Sequence, residues 1–234
     1  MASNLTRKEL LKQDKFTVEA EHTVDYLSTH RKEVVRYGTV ALVVIVIVAA
    51  VFFYRSSRAS VRQQILGEDI ALANEGVGQA PPNGQSFPTQ AAKNDAVTKA
   101  FSKLASDYSG SEEAYIAEYY LGNLALDAGN VDEARRKFQD AADHGNVNYA
   151  SLAKLALAQL DFAQNRNSEA ETLLRGLMDH PTDLVSKEEA QYTLAKVLAP
   201  TKPEEARKLF QQLADEKSDI SQIAQTALSE LPQK

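Results

Sequence analysis

One long stretch of the chain, residues 37–54, carries no charged side chain and is bounded by Arg36 and Arg55. At about 1.5 Å per residue, a helix over this stretch is about 27 Å long, close to the roughly 30 Å hydrocarbon core of a bilayer. Valine, isoleucine and phenylalanine are frequent in it, and each favours insertion by about 0.3 to 0.6 kcal/mol. Tyr37 and Tyr54 lie at its ends, where interfacial aromatic side chains are common. The sequence therefore predicts one transmembrane helix over residues 37–54.

A buried core element and a cleaved signal peptide are the two alternatives for this stretch. A core helix or strand of this length rarely lacks a polar stripe. A signal peptide begins with a short charged region and ends at small residues, whereas here residues 1–36 come first and the stretch ends in Phe52, Phe53 and Tyr54. An intact anchor is therefore the interpretation that the sequence favours.

The charges beside the predicted anchor leave its orientation open. The positive-inside rule compares basic residues close to the membrane, and three lie on each side: Arg31, Lys32 and Arg36 before it, and Arg55, Arg58 and Arg62 after it. Residues 63–234 carry sixteen basic and twenty-six acidic side chains. Nucleic acid and anionic lipid would each require a basic face, so this acidic domain is expected to bind proteins instead. The chain has no cysteine, which excludes disulfides and thiol catalysis.

The sequence after the predicted anchor repeats with a period of 36 residues. Each copy has an alanine, a bulky apolar residue four positions later and another small or apolar residue three positions after that. The copies are Ala134, Phe138 and Ala141; Ala170, Leu174 and Leu177; and Ala206, Phe210 and Leu213. Upstream of each copy, a leucine precedes a small residue that allows two helices to approach closely: Leu121-Gly122, Leu157-Ala158 and Leu194-Ala195. Each copy therefore predicts a helix, a tight turn and a second helix.

Residues 55–234 are thus expected to form four helix pairs and a closing helix, an all-α solenoid. The predicted helices are 56–75 with 90–107, 112–128 with 131–144, 148–164 with 167–180, 184–198 with 203–215, and finally 219–230. Capping-box spacing at Asn130 and at Thr201, with Pro203 in the following turn, supports two of the helix starts. Residues 76–89, rich in glycine and proline, are predicted to be a loop inserted in the first pair.

The closing helix is expected to cover the end of the array with one apolar stripe while its polar residues face solvent. The stripe consists of Ile220, Ile223, Ala224, Ala227, Leu228 and Leu231.

The sequence contains no recognisable catalytic motif, and each candidate catalytic group has a structural explanation. The acidic pairs 112–113, 188–189 and 204–205 begin predicted helices, where negative charge is favourable to the helix dipole. His144 and His180 stand near predicted helix ends, and a metal site would need further ligands. Phosphate-binding loops and serine-nucleophile motifs are absent from the sequence. We therefore predict a domain that is not an enzyme and takes no metal, cofactor or small-molecule substrate.

The first helices of successive repeats are expected to line one concave surface, which would contact a protein partner. One-turn spacing on those helices groups eight candidate contact residues: Tyr119, Asn123, Leu126, Leu155, Gln159, Phe162, Tyr192 and Lys196. The alternative for each of them is a packing role between helices, because aromatic residues at helical spacing are usually core.

The segment from Leu121-Gly122 through Gly129-Asn130 to Ala141 resembles a tetratricopeptide repeat, whose usual period is about 34 residues. It differs from that pattern at Glu118 and Ala125, where the repeat usually has bulky or aromatic residues. The resemblance implies a helical solenoid that binds proteins.

The order of segments, with Leu194-Ala195, Pro203-Glu204-Glu205-Ala206 and the closing helix, is similar to the YfgM-like family of ancillary subunits of the bacterial SecYEG translocon. The resemblance implies an inner-membrane protein with residues 1–36 in the cytoplasm and a periplasmic repeat domain. It also implies two partners, the SecYEG translocon and a membrane-anchored periplasmic chaperone of the prolyl-isomerase type. The alternative function is a structural scaffold that coordinates cell-envelope or cell-division assemblies.

Overall fold

The computed structural model describes residues 31–78, 86–216 and 220–231 of the 234-residue chain. Helices dominate these residues: α1 Arg31–Ala73, α2 Gln90–Asp107, α3 Glu112–Asp127, α4 Val131–His144, α5 Val147–Ala163, α6 Asn167–Asp179, α7 Lys187–Leu198, α8 Pro203–Asp215 and α9 Ser221–Glu230. Two short parallel strands, β1 Gly76–Val77 and β2 Ser86–Phe87, lie between α1 and α2. The predicted all-α class is therefore confirmed.

The chain divides into two compact units, residues 1–60 and 61–234. Most of the predicted N-terminal segment, residues 1–30, lies outside the described residues. The helix α1 includes residues 51–57, but the structure does not describe their side chains. The end of the predicted anchor, residues 51–54, is among them. Within the parts of the chain that the structure describes, no helix is both long and apolar enough to cross a membrane.

The second unit is built by helices that pack on their neighbours in sequence. From α2 to α9, each helix contacts the next one along the chain. The end of α1 joins this array because Ile65, Leu66 and Ile70 pack against the buried Phe101 and Leu104 of α2. This arrangement is consistent with the predicted solenoid and compatible with tetratricopeptide-like repeats.

The predicted repeat register is confirmed by burial. All nine residues of the three Ala–bulky–apolar copies are buried in the core. The predicted close approach of two helices is clearest at Gly122, where an added Cβ would lie 2.6 Å from Cε1 of Phe138. Ala158 and Ala195, the equivalent small residues of the next two pairs, are fully buried as well.

Most helix boundaries agree with the prediction to within two residues, and two differ by more. The helix α1 begins at Arg31 and continues without a break, although the sequence predicts a separate helix from residue 56. The helix α7 begins at Lys187 rather than at residue 184, because the Ser186 hydroxyl accepts a hydrogen bond from the Glu189 amide and caps the helix there.

The predicted capping boxes are wrong. Asn130 makes no side-chain cap hydrogen bond, and the residue that caps α8 is Lys202 rather than Thr201. Asn130 has ψ of 68°, whereas a capping side chain needs an extended backbone to reach the helix amides. The tight turn causes this conformation, since Gly129 has φ of 78° and the Asn130 amide donates to the carbonyl of Ala125. Pro203 does occupy the first turn of α8 as predicted.

The other two predicted segments agree only in part. The ends of the 76–89 insertion form the β1–β2 pair, with the Ser86 hydroxyl donating to the Gly78 carbonyl over 2.6 Å, while residues 79–85 lie outside the description. In α9, Ala224 is buried as expected, but Ile223 is 53% exposed and does not belong to the core stripe. The other five residues of the predicted stripe lie in the core cluster or pack against it, as α9 packs on α8.

Candidate protein-binding surface

The first helices of the pairs, α3, α5 and α7, lie closer to each other than the second helices do. Contacts join α3 to α5 and α5 to α7, and no comparable contact joins α4, α6 and α8 among the described helices. In a curved array, the helices that crowd together lie on the inside of the curve. We refer to the eight candidate residues on α3, α5 and α7 as the inner face.

On α3, the inner face combines an aromatic cluster with an exposed leucine. The Tyr119 ring is half-buried, and its centroid lies 5.7 Å from that of Tyr149 at the start of α5. Burial raises the pKa of the Tyr119 phenol, and the charge of Glu189 on α7 acts in the same direction. Asn123 donates from Nδ2 to the Tyr119 carbonyl over 2.9 Å, and Leu126 is 40% exposed. This part of the surface therefore offers apolar, amide and hydroxyl groups together.

On α5, one of the three candidates is a core residue. Leu155 is only 6% exposed and belongs to the largest buried cluster, so its predicted role as a contact residue is wrong. The cause is a buried cluster to which α5, α6 and α7 all contribute, because Leu155 lies within it. Gln159, one turn further along, is exposed, and Phe162 is partly buried against the same cluster.

On α7, the two candidates contact each other. The Tyr192 ring is partly buried and meets the core Phe210 edge-on, with 5.7 Å between their centroids. The exposed Lys196 places its Nζ 5.8 Å from the centroid of the Tyr192 ring. The Tyr192 ring thus packs against the core and also contacts a side chain at the surface.

Two further members of the aromatic cluster, Tyr120 and Tyr149, are not among the predicted contact residues. Tyr120 stacks on the core Phe101 with 4.6 Å between centroids, and burial raises the pKa of its phenol. Tyr149 lies 6.2 Å from Tyr120 and links the two first helices. Neither occupies a position that recurs in the repeat pattern, so periodicity gave no signal for them.

The acidic pairs lie in the first turns of α3, α7 and α8, as predicted. Glu113 is buried and accepts a hydrogen bond from Nε of Arg62 over 2.7 Å, which ties α1 to α3. Glu112 accepts one from Nδ2 of Asn146 over 2.6 Å. In the described part of the chain, no three acidic or histidine side chains are arranged to hold a metal ion.

A buried ion pair joins the second helix pair to the third. The Asp161 carboxylate, 5% exposed on α5, accepts hydrogen bonds from Arg135 of α4 over 2.7 Å and from Arg166 over 2.9 Å.

The third and fourth pairs are joined differently, by ion pairs with exposed partners. Lys202 and Arg175 both bind Glu171, and these bonds lower the pKa of its carboxyl group. Arg175 also reaches Glu205 of α8, which is 39% exposed.

Comparison with protein-family models, curated proteins and solved structures gives no match for this chain. A helical repeat fold does not decide function by itself, because such folds serve many unrelated functions. Function is therefore inferred from the chain's own residues and from the order of its segments.

Proposed function

We propose that this chain is a membrane-anchored, non-catalytic module that binds other proteins through the inner face. The observation that carries the proposal is the line of partly exposed Tyr119, Phe162 and Tyr192 across three successive first helices. Aromatic residues that keep one face exposed supply contact area at low entropic cost, and they are frequent among the residues that dominate binding energy. Helical repeat arrays use such extended surfaces to bind partners.

We also propose that residues 37–54 are the membrane anchor. Ten large apolar side chains between Val35 and Val48 are each 51% to 69% exposed, and they lie all around the helix. An aqueous surface helix normally has a polar face, so this apolar circumference favours lipid as its surroundings. The uncharged stretch, its length and its terminal tyrosines support the same proposal.

The proposed location and partners follow from the resemblance to the YfgM-like proteins. In this proposal the N-terminus is cytoplasmic, the repeat domain is periplasmic, and the partners are the SecYEG translocon and a membrane-anchored periplasmic chaperone. The module would help to receive proteins that leave the translocation channel. The acidic repeat domain supports protein partners over anionic lipid or nucleic acid.

Site-specific photo-crosslinking in native membranes tests this proposal. A photo-reactive amino acid at Leu126 or Gln159, both exposed on the inner face, should capture translocon subunits or the chaperone. Gln139 is the matched control, because it is an exposed glutamine on the second helix α4. Equal capture of partners from positions 159 and 139 would refute the proposal that the inner face is the binding surface. Capture of cell-division or envelope-assembly proteins instead would favour the scaffold alternative.

A further inference from the structure

A cavity of about 300 Å³ lies between the beginning of α5 and the end of α6, away from the inner face. Its apolar lining is contributed by Ala150 on α5 and by Leu173 and Leu177 on α6. Gly176 also borders it, and a Cβ added there would meet no atom within 4 Å. The volume is at the lower end of the range of about 300 to 1,000 Å³ for ligand pockets, and it is sufficient for one aromatic side chain.

The preceding helix pair has an aromatic ring of its own at the equivalent place. The Tyr115 ring on α3 stacks on His144 at the end of α4, with 5.2 Å between the centroids and 19° between the planes. The equivalent residues of the next pair, 36 positions later, are Ser151 and His180, and both line the cavity. The Ser151 hydroxyl lies 2.7 Å from that of Thr182, so it bonds with the wall of the cavity and leaves the space open. The third pair thus retains the histidine and lacks the ring that stacks on it.

The charges around the cavity change between the same two pairs. In the second pair, Glu118 on α3 forms an ion pair with Lys137 on α4, at 2.7 Å. The shift of 36 residues replaces them with Lys154 and Leu173, which puts a cation where the carboxylate was and removes its counter-charge. Lys154 is exposed, and no acidic residue lines the cavity. In an otherwise acidic domain, this rim attracts negative charge.

We propose that this cavity binds a peptide segment of a partner protein through one aromatic side chain next to an acidic residue. The aromatic ring enters between α5 and α6 and stacks on His180, in the way that Tyr115 stacks on His144. The neighbouring carboxylate pairs with Lys154. This second binding site shares no residue with the inner face, so one partner can engage both sites, or two partners can bind at once.

The chain has no tryptophan, so a tryptophan in a probe peptide can be excited alone. The probe is the peptide acetyl-Glu-Trp-Glu-amide, titrated with the full chain in detergent micelles against a blank of empty micelles. We expect saturable binding. Gly176→Leu places a side chain at the border of the cavity, where an added Cβ meets no atom within 4 Å, and should weaken binding at least tenfold. Gly67→Leu is the matched control, because Gly67 is also an exposed helical glycine with no atom within 4 Å of an added Cβ, and it should bind as the parent does.

Two further variants separate cavity filling from misfolding. Ser151→Tyr restores the ring of the preceding pair and should abolish binding while the circular dichroism spectrum keeps its helical form. Lys154→Gln should weaken binding of acetyl-Glu-Trp-Glu-amide severalfold but leave the neutral acetyl-Gln-Trp-Gln-amide unaffected. Absence of saturable binding to the parent chain would overturn the proposal, and so would undiminished binding to a folded Gly176→Leu or Ser151→Tyr variant.

Discussion

Replacing Gly122 with alanine tests the closest helix contact of the array. The new Cβ would lie 2.6 Å and 2.7 Å from two carbons of the Phe138 ring, whereas carbon atoms pack best at about 3.5 to 4.0 Å. Phe138 is 0% exposed, so its ring is enclosed by the core and can move only if its neighbours shift. Overpacking of this kind costs about 1 to 3 kcal/mol, while the higher helix propensity of alanine returns about 1 kcal/mol. We expect a net loss of about 1 kcal/mol in the free energy of unfolding, and a larger loss for Gly122→Leu.

The measurement is urea unfolding of a fragment comprising residues 58–234, followed by circular dichroism at 222 nm. The double variant Gly122→Ala with Phe138→Leu is the internal control, because it reproduces the Ala158 and Leu174 combination of the next pair. Its loss should be smaller than the sum of the two single losses by about 1 kcal/mol, since the alanine no longer meets a ring.

The fourth pair defines the result that would refute this reasoning. There Ala195 and Phe210 occupy the equivalent positions, and both are buried. If Gly122→Ala unfolds at the same urea concentration as the parent, α3 and α4 can relax to a spacing that accepts this combination. The glycine would then not be required by packing.

Three other predictions concern pH, the inner face and topology. Burial raises the pKa of the Asp69 carboxyl group, so the folded state loses stability as pH rises and this group ionises. Asp69→Asn should therefore raise the melting temperature at pH 7. The difference from the parent should vanish below about pH 4, where the carboxyl group is protonated in the unfolded chain as well. An unchanged difference across this pH range would exclude the carboxyl group as its cause. Leu126→Ala with Gln159→Ala should reduce co-purification of membrane partners with the full-length chain without changing the melting temperature. Tyr192→Ala should lower that temperature, because its ring also packs in the core. Protease added outside spheroplasts should remove residues 55–234, and a fully protected domain would contradict the proposed orientation.

The helix boundaries were predictable because periodicity and burial agree. A position such as Ala134 or Phe138 recurs every 36 residues, and each copy must bury the same face against its partner helix. The turns were less predictable, because the sequence pattern at Asn130 and Thr201 predicted side-chain helix caps that do not form. Asn165, with φ of 59°, and Gly129 occupy the same turn position, and the hydrogen bonds of that backbone replace side-chain capping. Such bonds depend on dihedral angles that a residue pattern does not reveal.

The candidate surface was predictable as a set of helices but not side chain by side chain. Leu155 and Gln159 lie on the same helix face by spacing, yet only Leu155 is buried, in the cluster that α5, α6 and α7 share. Burial of this kind depends on the crossing of two helices and not on the period of one. The cavity, in contrast, had a signal in the sequence, since Tyr115 and Ser151 are equivalent positions with side chains of very different size.

Buried ion pairs connect the second and third helix pairs, whereas exposed ion pairs connect the third and fourth. Raising the ionic strength should therefore weaken the second set of contacts more than the first. Salt screens exposed charges strongly and buried ones much less. The bonds of the buried Asp161 should therefore keep α4 and α5 in register in concentrated salt, whereas the bonds between Glu171, Arg175 and Lys202 should weaken. Fraying under those conditions would begin at the carboxyl-terminal end, and the helix pairs joined by Asp161 would loosen later.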